Sequence, residues 1–255
     1  MVLDTLAHNG RQYTTFPPLD GACGKEGNLI MPKRTRLSNR KLPNYSQGEE
    51  VMNMVTHIVG GSFGIAALVL CVIRAATRGG VTDVVAAAIY GASLICLYTM
   101  SSVYHGLRPG TGKKVLQILD HCTIYFLIAG SYTPVALAAL LPHYPALGIG
   151  LCIAEWGLTA LAATFTAIDL RNYRVFSMIC YIGMGWAVLP FIPQTIRAMG
   201  QTGFALLLAG GIAYTVGAIL YGIGVKIKWL HSVFHLFVVL GSVLHFFAIF
   251  FYALP

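Results

Sequence analysis

HSVFHLFVVLGSVLH, residues 231–245, carries three histidines inside an apolar run that extends from about residue 230 to 253. About 20 apolar residues suffice for a helix to cross the hydrocarbon core of a bilayer, so this run predicts a membrane-spanning helix. His231 and His235 are four residues apart and stand one turn above the other on a single helix face. At that spacing two imidazoles can grip one transition metal. His245 falls on the same stripe but roughly 15 Å beyond His235 at the helical rise, too far to share an ion with the pair.

The rest of the chain has the same character. Of 255 residues, 56% are hydrophobic and 10% are charged, and the mean hydropathy is +0.71; a soluble domain carries about 25% charged residues. Six further apolar runs precede the last, near 51–73, 84–105, 115–141, 146–167, 174–193 and 203–224. The expected fold is therefore all-α, a seven-transmembrane helix bundle over residues 49–255. The third run holds Pro134, where a kink is expected, and the fifth is short and ends around Pro190 and Pro193. Residues 1–48 are polar, basic and rich in Gly and Pro, and read as a flexible cytoplasmic tail. They contain no cleavable apolar core, so the first span is expected to direct insertion. The six cysteines (Cys23, Cys71, Cys96, Cys122, Cys152 and Cys180) are widely spaced; they form no disulfide framework or CxxC zinc site and read as packing residues.

Lysine and arginine are divided unequally between the two sides. Seven lie in the tail, and Arg108, Lys113, Lys114, Arg171, Arg174, Lys226 and Lys228 follow spans 2, 4 and 6; the opposite loops hold only Arg74, Arg78 and Arg197. The positive-inside rule then places the N-terminus in the cytoplasm and the C-terminus outside. The net charge of +8 is thereby read as topology and as contact with the lipid bilayer, not as a nucleic-acid footprint, for which aromatic interleaving and a recognition fold are missing.

Orientation fixes depth. Glu50, Asn53 and His57 share one face at the cytoplasmic end of span 1. Ser101 and His105 lie in the last turns of span 2, Asp120 and His121 in the first turns of span 3, and His231 and His235 at the start of span 7. Four helices thus bring ionisable groups to one shallow level, where such residues are costly and usually face the bundle interior. Three imidazoles, His105, His231 and His235, with a water would make a zinc site with one open position. Asp120 would hold or deprotonate that water, and Ser101 would hydrogen-bond it or the developing oxyanion. A metal-free buried hydrogen-bond network is the alternative. Three imidazoles with one nearby carboxylate suit zinc better than iron or manganese. His121 points about 100° away from Asp120 and reads as a packing hydrogen-bonder, and His57 as a partner for Glu50 or Asn53. His245 and Glu155 read as groups bonded to a neighbour; His8 and His143 read as solvated.

The segments EExxNxxTH at Glu49–His57, SxxxH at Ser101–His105, LDH at Leu119–His121 followed by IYFLIAGSYTP, and HSVFH at His231–His235 together resemble the hemolysin III family, the bacterial branch of the progestin and adiponectin receptor superfamily. The likeness covers about residues 49–255. It implies a bacterial plasma-membrane protein of seven helices with zinc on His105, His231 and His235, and with Asp120 and Ser101 beside the zinc-bound water. It also implies a link to ceramidase-like lipid amide hydrolysis and membrane-lipid homeostasis, and to the haemolytic activity for which the family was named. The tail of residues 1–48 is outside the resemblance and longer than its bacterial members lead one to expect.

Three functions compete: a zinc-dependent hydrolase of an amide or ester bond in a membrane lipid, a receptor-like lipid sensor with a structural zinc, and an oligomeric pore. A monomeric pore needs polar residues along its full length, whereas here they crowd at one end. A retinal protein needs a lysine within the last span, and Lys226 and Lys228 precede it. A G-protein-coupled receptor would have the opposite orientation. The oligomeric state is left open.

Overall fold

The computed structural model describes residues 34–224 and 227–255. Residues 1–33 of the expected tail, with His8 and Cys23, and Lys226 of the charge count lie outside them. Among the described residues all regular structure is helical: α1 (Gln47–Arg78), α2 (Val81–Gly106), α3 (Thr111–Pro134), α4 (Pro145–Ile168), α5 (Arg174–Gly185), α6 (Ile192–Gly224) and α7 (Leu230–Ala248). Six helical stretches are long and apolar enough to cross a membrane: Gln47–Arg78, Val81–Gly106, Thr111–Leu140, Pro145–Ile168, Arg174–Gly224 and Leu230–Ala253.

The expected spans at 174–193 and 203–224 fall within one long helical stretch. α5 stops at Gly185, a 3₁₀ turn covers Leu189–Phe191, and α6 begins at Ile192, so one apolar stretch of 51 residues runs from Arg174 to Gly224. Pro190 sits in the 3₁₀ turn and Pro193 in the first turn of α6, where a missing N–H breaks no helical hydrogen bond. Besides the break between Gly185 and Ile192, the backbone leaves helical space at Gly200, in the gap between the two expected spans, with φ of 73° and ψ of 166°; only a residue without Cβ takes that conformation cheaply. At Pro134 the expected kink takes the form of a change of helix type: α3 passes into a π-helical turn over Val135–Leu140, which re-pairs backbone groups around the lost donor.

The helices place apolar residues outward and small or polar ones inward. On α1, Val51, Val55, Ile58, Val59 and Ile65 are exposed, while Asn53, Thr56, His57, Gly60 and Gly64 are buried. Lipid tails offer no hydrophobic drive between helices, so close approach through small residues does the work. A Cβ on Gly60 would lie 2.5 Å from the Tyr98 ring of α2, so glycine is what lets α1 meet α2 there. α1 pairs with α2 and α7, α6 with α7, and α3 with α2 and α4. Of the apolar stretch of α3, 72% is buried, against 28% for α1, which makes α3 the most enclosed wall of the bundle interior.

Residues 34–46 are not the free tail expected from their composition. They form a strap against the end of the bundle where α1, α3 and α7 begin. The Thr35 N–H donates to Asp169 Oδ2 at 2.6 Å, Arg34 Nε donates to the Ile168 carbonyl at 3.1 Å, and Lys114 Nζ to the Ser38 carbonyl at 2.8 Å. Burial pushes the Asp169 carboxyl upward, but hydrogen bonds from the backbone of Thr35, Asn172 and Arg171 outweigh it and hold the group below its ordinary value. The strap ends at Ser46, which caps α1 in a reciprocal box with Glu49. Glu49 Oε1 also accepts from the Trp229 N–H at 2.7 Å, tying the start of α1 to the start of α7. The turn at Trp229, with φ of 66°, aims that N–H.

Candidate metal centre

His231 and His235 occupy the first two turns of α7, His105 the last turn of α2, and all three are buried. One ring nitrogen from each lies within 4.8 Å of the other two. The Nε2 atoms of His231 and His235 face one another at 3.1 Å. Two imidazoles on one tetrahedral zinc stand about 3.3 Å apart, from a metal–nitrogen bond near 2.0–2.1 Å, so the pair is already at ligand spacing. His105 Nδ1 donates to Glu50 Oε2 at 2.7 Å. That carboxylate contact fixes the tautomer and leaves Nε2 as a bare lone pair. His105 Nε2 is buried without a hydrogen-bond partner among the described residues. An orphaned acceptor costs free energy in a lipid-embedded interior, and a metal ion at the cluster would satisfy it. The donor set fits a transition metal.

Glu50 is itself held. Its Oε1 accepts from Lys113 Nζ at 2.6 Å, and the same ammonium donates to the Leu107 carbonyl at 3.0 Å and lies 5.2 Å from the Tyr104 ring centroid. Lys113, counted from sequence among the topological loop cations, is 3% exposed and anchors a Lys113–Glu50–His105 relay across α3, α1 and α2. Sequence periodicity set Glu50 on the inward face of α1, but its partners lie on other helices.

His57 does not partner Glu50 or Asn53 as expected. Neither of its ring nitrogens has a hydrogen bond among the described residues. The ring stacks on His235, with centroids 3.8 Å apart, and meets Tyr98 edge-on at 5.0 Å. It backs the His235 ring and stands outside the group of convergent nitrogens. Glu50 turns to His105 instead, and Asn53 Nδ2 lies 3.4 Å from the same Nδ1, a contact between two N–H groups when that nitrogen donates to Glu50. On the strap side, Tyr45 stacks on His231 at 4.8 Å and 13°.

Ser101 and Asp120, the two residues singled out as catalytic, line one largely apolar cavity of about 160 Å³ together with His231 and His235. Ser101 Oγ makes no hydrogen bond within the described residues. The Asp120 carboxylate lies 3.9 Å from His121 Nδ1, and that nitrogen is engaged with the Gln117 carbonyl at 2.7 Å; no hydrogen bond holds the carboxylate among the described residues. Both polar groups are therefore available to a molecule in the cavity. His121 is the packing residue the sequence suggested: Nδ1 donates to Gln117, and Nε2 pairs with the Tyr221 hydroxyl at 3.1 Å. Deeper in the same cavity the walls are Leu127, Ile128, Trp186 and Val238, with His245 beyond. His245 bonds a neighbour as expected, Nε2 to the Leu207 carbonyl at 3.1 Å. Glu155 does not: it is 1% exposed, and its Oε2 finds no partner among the described residues. His143 is exposed.

The Haemolysin-III related family matches residues 45–246. Hemolysin-3 of Bacillus cereus is 40% identical over 207 residues, 81% of this chain and 93% of that protein. The Hemolysin-3 homolog of Bacillus subtilis is 37% identical over 204 residues, 80% and 94% of the two chains. The monocyte to macrophage differentiation factor of Homo sapiens is 29% identical over 170 residues, 63% of this chain and 67% of that protein. With the six apolar helices, these likenesses describe a multi-pass integral membrane protein.

Proposed function

The chain belongs to the Haemolysin-III related family, and from there we propose that it is a zinc-dependent hydrolase acting on an amide or ester bond of a membrane lipid, with a role in membrane-lipid homeostasis. Its setting in this reading is a bacterial plasma membrane crossed seven times, with the N-terminus in the cytoplasm. The 51-residue stretch Arg174–Gly224 supplies two of the seven crossings, divided at Gly200. The excess of Lys and Arg on the tail side supports the orientation.

One observation carries the hydrolase reading: three buried imidazoles converge beside an apolar cavity on whose wall Asp120 and Ser101 keep their polar atoms free. His105, His231 and His235 would hold the ion. When bound, zinc supplies a Lewis acid and a water whose pKa falls to about 7. Asp120 is the proton acceptor at its carboxylate oxygens. Ser101 Oγ donates to the oxygen on which negative charge builds. Glu50 keeps the His105 Nδ1 proton in place, and Lys113 keeps Glu50 oriented. The apolar walls from Leu127 to Val238 take an acyl chain and exclude water.

Metal content and lipid hydrolysis, read together on wild type and Asp120→Ala, test this. Asp120→Ala should retain metal and lose at least about a hundredfold in turnover. Retained metal with unchanged turnover of every lipid class would exclude Asp120 as the base. The stacking of Tyr45 on His231 supports a second reading, a lipid sensor with a structural zinc, because it covers the cluster from the strap side. In that case wild type binds zinc and lipid but hydrolyses none. Membrane lysis, suggested by the relatives' name Hemolysin-3, separates from both by ion leak from proteoliposomes.

A further inference from the structure

Behind the strap lies a second cavity, of about 620 Å³. It shares Tyr45, His121, Tyr221 and His231 with the wall of the apolar cavity. Its own wall is cationic: Arg40 and Lys41 come from the strap, Arg171 from the turn between α4 and α5, Arg174 from the start of α5, and Lys228 from ahead of α7. Glu49 is the one acidic residue lining it among the described residues. Both Glu49 oxygens are engaged, Oε1 by the Trp229 N–H and Oε2 by Ser46.

Exposed cations on a rim carry little by themselves, since solvent screens them. Arg40 differs. It is 7% exposed, and its Nε and Nη1 are inaccessible and have no acceptor among the described residues. Asp169, the carboxylate on the adjoining turn, is occupied elsewhere: Oδ2 accepts from Thr35 N and Asn172 Nδ2, and Oδ1 from the backbone of Arg171 and Asn172. A guanidinium withdrawn from water without an acceptor is a costly arrangement. Its planar fork is matched by two oxygens of one anionic group.

We propose that this vestibule binds a phosphate group, drawn in by its five cations, with the Arg40 guanidinium turning to meet it. A carboxylate would offer two oxygens and leave most of the volume unfilled. A phosphate with an attached polar head presents more acceptor oxygens to the five cations and matches the size. The same chemistry is offered by a phospholipid headgroup and by free phosphate. The site stands whether or not the neighbouring metal centre turns over a lipid.

Calorimetric titration of the full-length protein in neutral detergent tests it with three probes: dihexanoyl phosphatidylglycerol, inorganic phosphate, and dihexanoylglycerol, which lacks phosphate. Saturable binding of the phosphatidylglycerol alone identifies a headgroup site, and binding of both phosphate probes a site for phosphate itself. Arg40→Gln should weaken binding by about tenfold or more, and Arg174→Gln, on the exposed rim, by about twofold. The same binding should survive in His235→Ala, which separates this site from anion capture at the metal centre. If Arg40→Gln does not fold, the double variant Arg174→Gln with Lys228→Gln replaces it, with about a fivefold loss expected. No saturable binding of either phosphate probe overturns the proposal. So does equal binding of dihexanoylglycerol, loss of binding in His235→Ala, or affinity unchanged in the charge-removing variants.

Discussion

At one end of α7, His231 and His235 face each other 3.1 Å apart, with His105 beside them. Further along the same helix, His245 bonds a backbone carbonyl and meets the edge of Tyr214. Both ends bury imidazole in a setting where burial is costly. They differ in what the neighbouring helices bring. At the first end, α1 and α3 contribute a carboxylate and an ammonium that orient His105 from behind and leave its Nε2 free toward the other rings. At the second, the Ser242 hydroxyl joins the Tyr98 and Tyr214 hydroxyls at 2.7 and 2.8 Å, and His245 is pinned to Leu207 through Nε2, with its Nδ1 unpartnered among the described residues and no second imidazole beside it. A buried histidine is thus not itself a sign of function. The sign is three ring nitrogens from two helices converging on one point, with a carboxylate orienting one of the rings from behind.

The largest contrast should come from deleting one imidazole at each end. His235→Ala removes a nitrogen of the convergent group, and bound metal should fall from stoichiometric to near background by elemental analysis. His245→Ala should leave metal content unchanged and act on stability alone. Equal metal loss in both variants would erase the distinction between the ends.

Glu50→Gln probes the support behind His105. The amide still reaches the ring but no longer carries the charge that fixes its tautomer, and Lys113 loses its ion-pair partner. Loss of such an orienting group typically weakens metal affinity by about 10–100-fold, measured by competition with a chelator of known affinity. The fold should survive, because the glutamate side chain is partly exposed. An unchanged affinity would mean that the relay serves helix packing only.

Packing at the other end can be tested through Gly210. A Cβ there would run into the His245 ring, and relief requires a ring held by the Leu207 carbonyl to move. Gly210→Ala should therefore cost about 1–3 kcal/mol, read as a lower thermal midpoint with metal content intact. Gly222→Ala, on the same helix with nothing within 4 Å of its would-be Cβ, serves as the control and should be neutral or slightly stabilising.

The asymmetry was partly legible in the residues. The i,i+4 pair His231 and His235 and the matched depths of His105 and Ser101 follow from helical period once spans and orientation are assumed. Period fixes which way a side chain points from its own helix. It does not fix the rotation and height of one helix against another, and the Lys113–Glu50–His105 relay and the stack of His57 on His235 depend on that. Composition misled at two places. Lys113 reads as a loop charge because a lysine near a helix start usually reaches water, but here the stem runs inward to a carboxylate. Residues 34–46 read as tail because nothing in them is apolar enough to demand burial, yet Asp169 and the ends of α3 and α4 supply the hydrogen bonds that dock them. Within Arg174–Gly224 both prolines fit helix starts, and the non-helical Gly200 falls in the gap expected between the two spans.

The strap touches only the metal-binding end, so loosening it should sharpen the comparison without disturbing the far half. Asp169 is the hinge of that docking, accepting from Thr35 as well as from its own turn. Its carboxyl is held below the ordinary value, so its contribution is fully present above the unfolded-state value of about 3.9. It is lost as pH falls through the lower value of the folded state. Asp169→Asn keeps the shape but weakens a charge-assisted acceptor, for a local cost of about 1 kcal/mol. Backbone hydrogen exchange near neutral pH should then quicken by about fivefold at residues 35–45 and stay unchanged around His245. In wild type the same quickening should appear only below about pH 4. Exchange that rises equally at both ends would mean that Asp169 stabilises the whole bundle and not the strap.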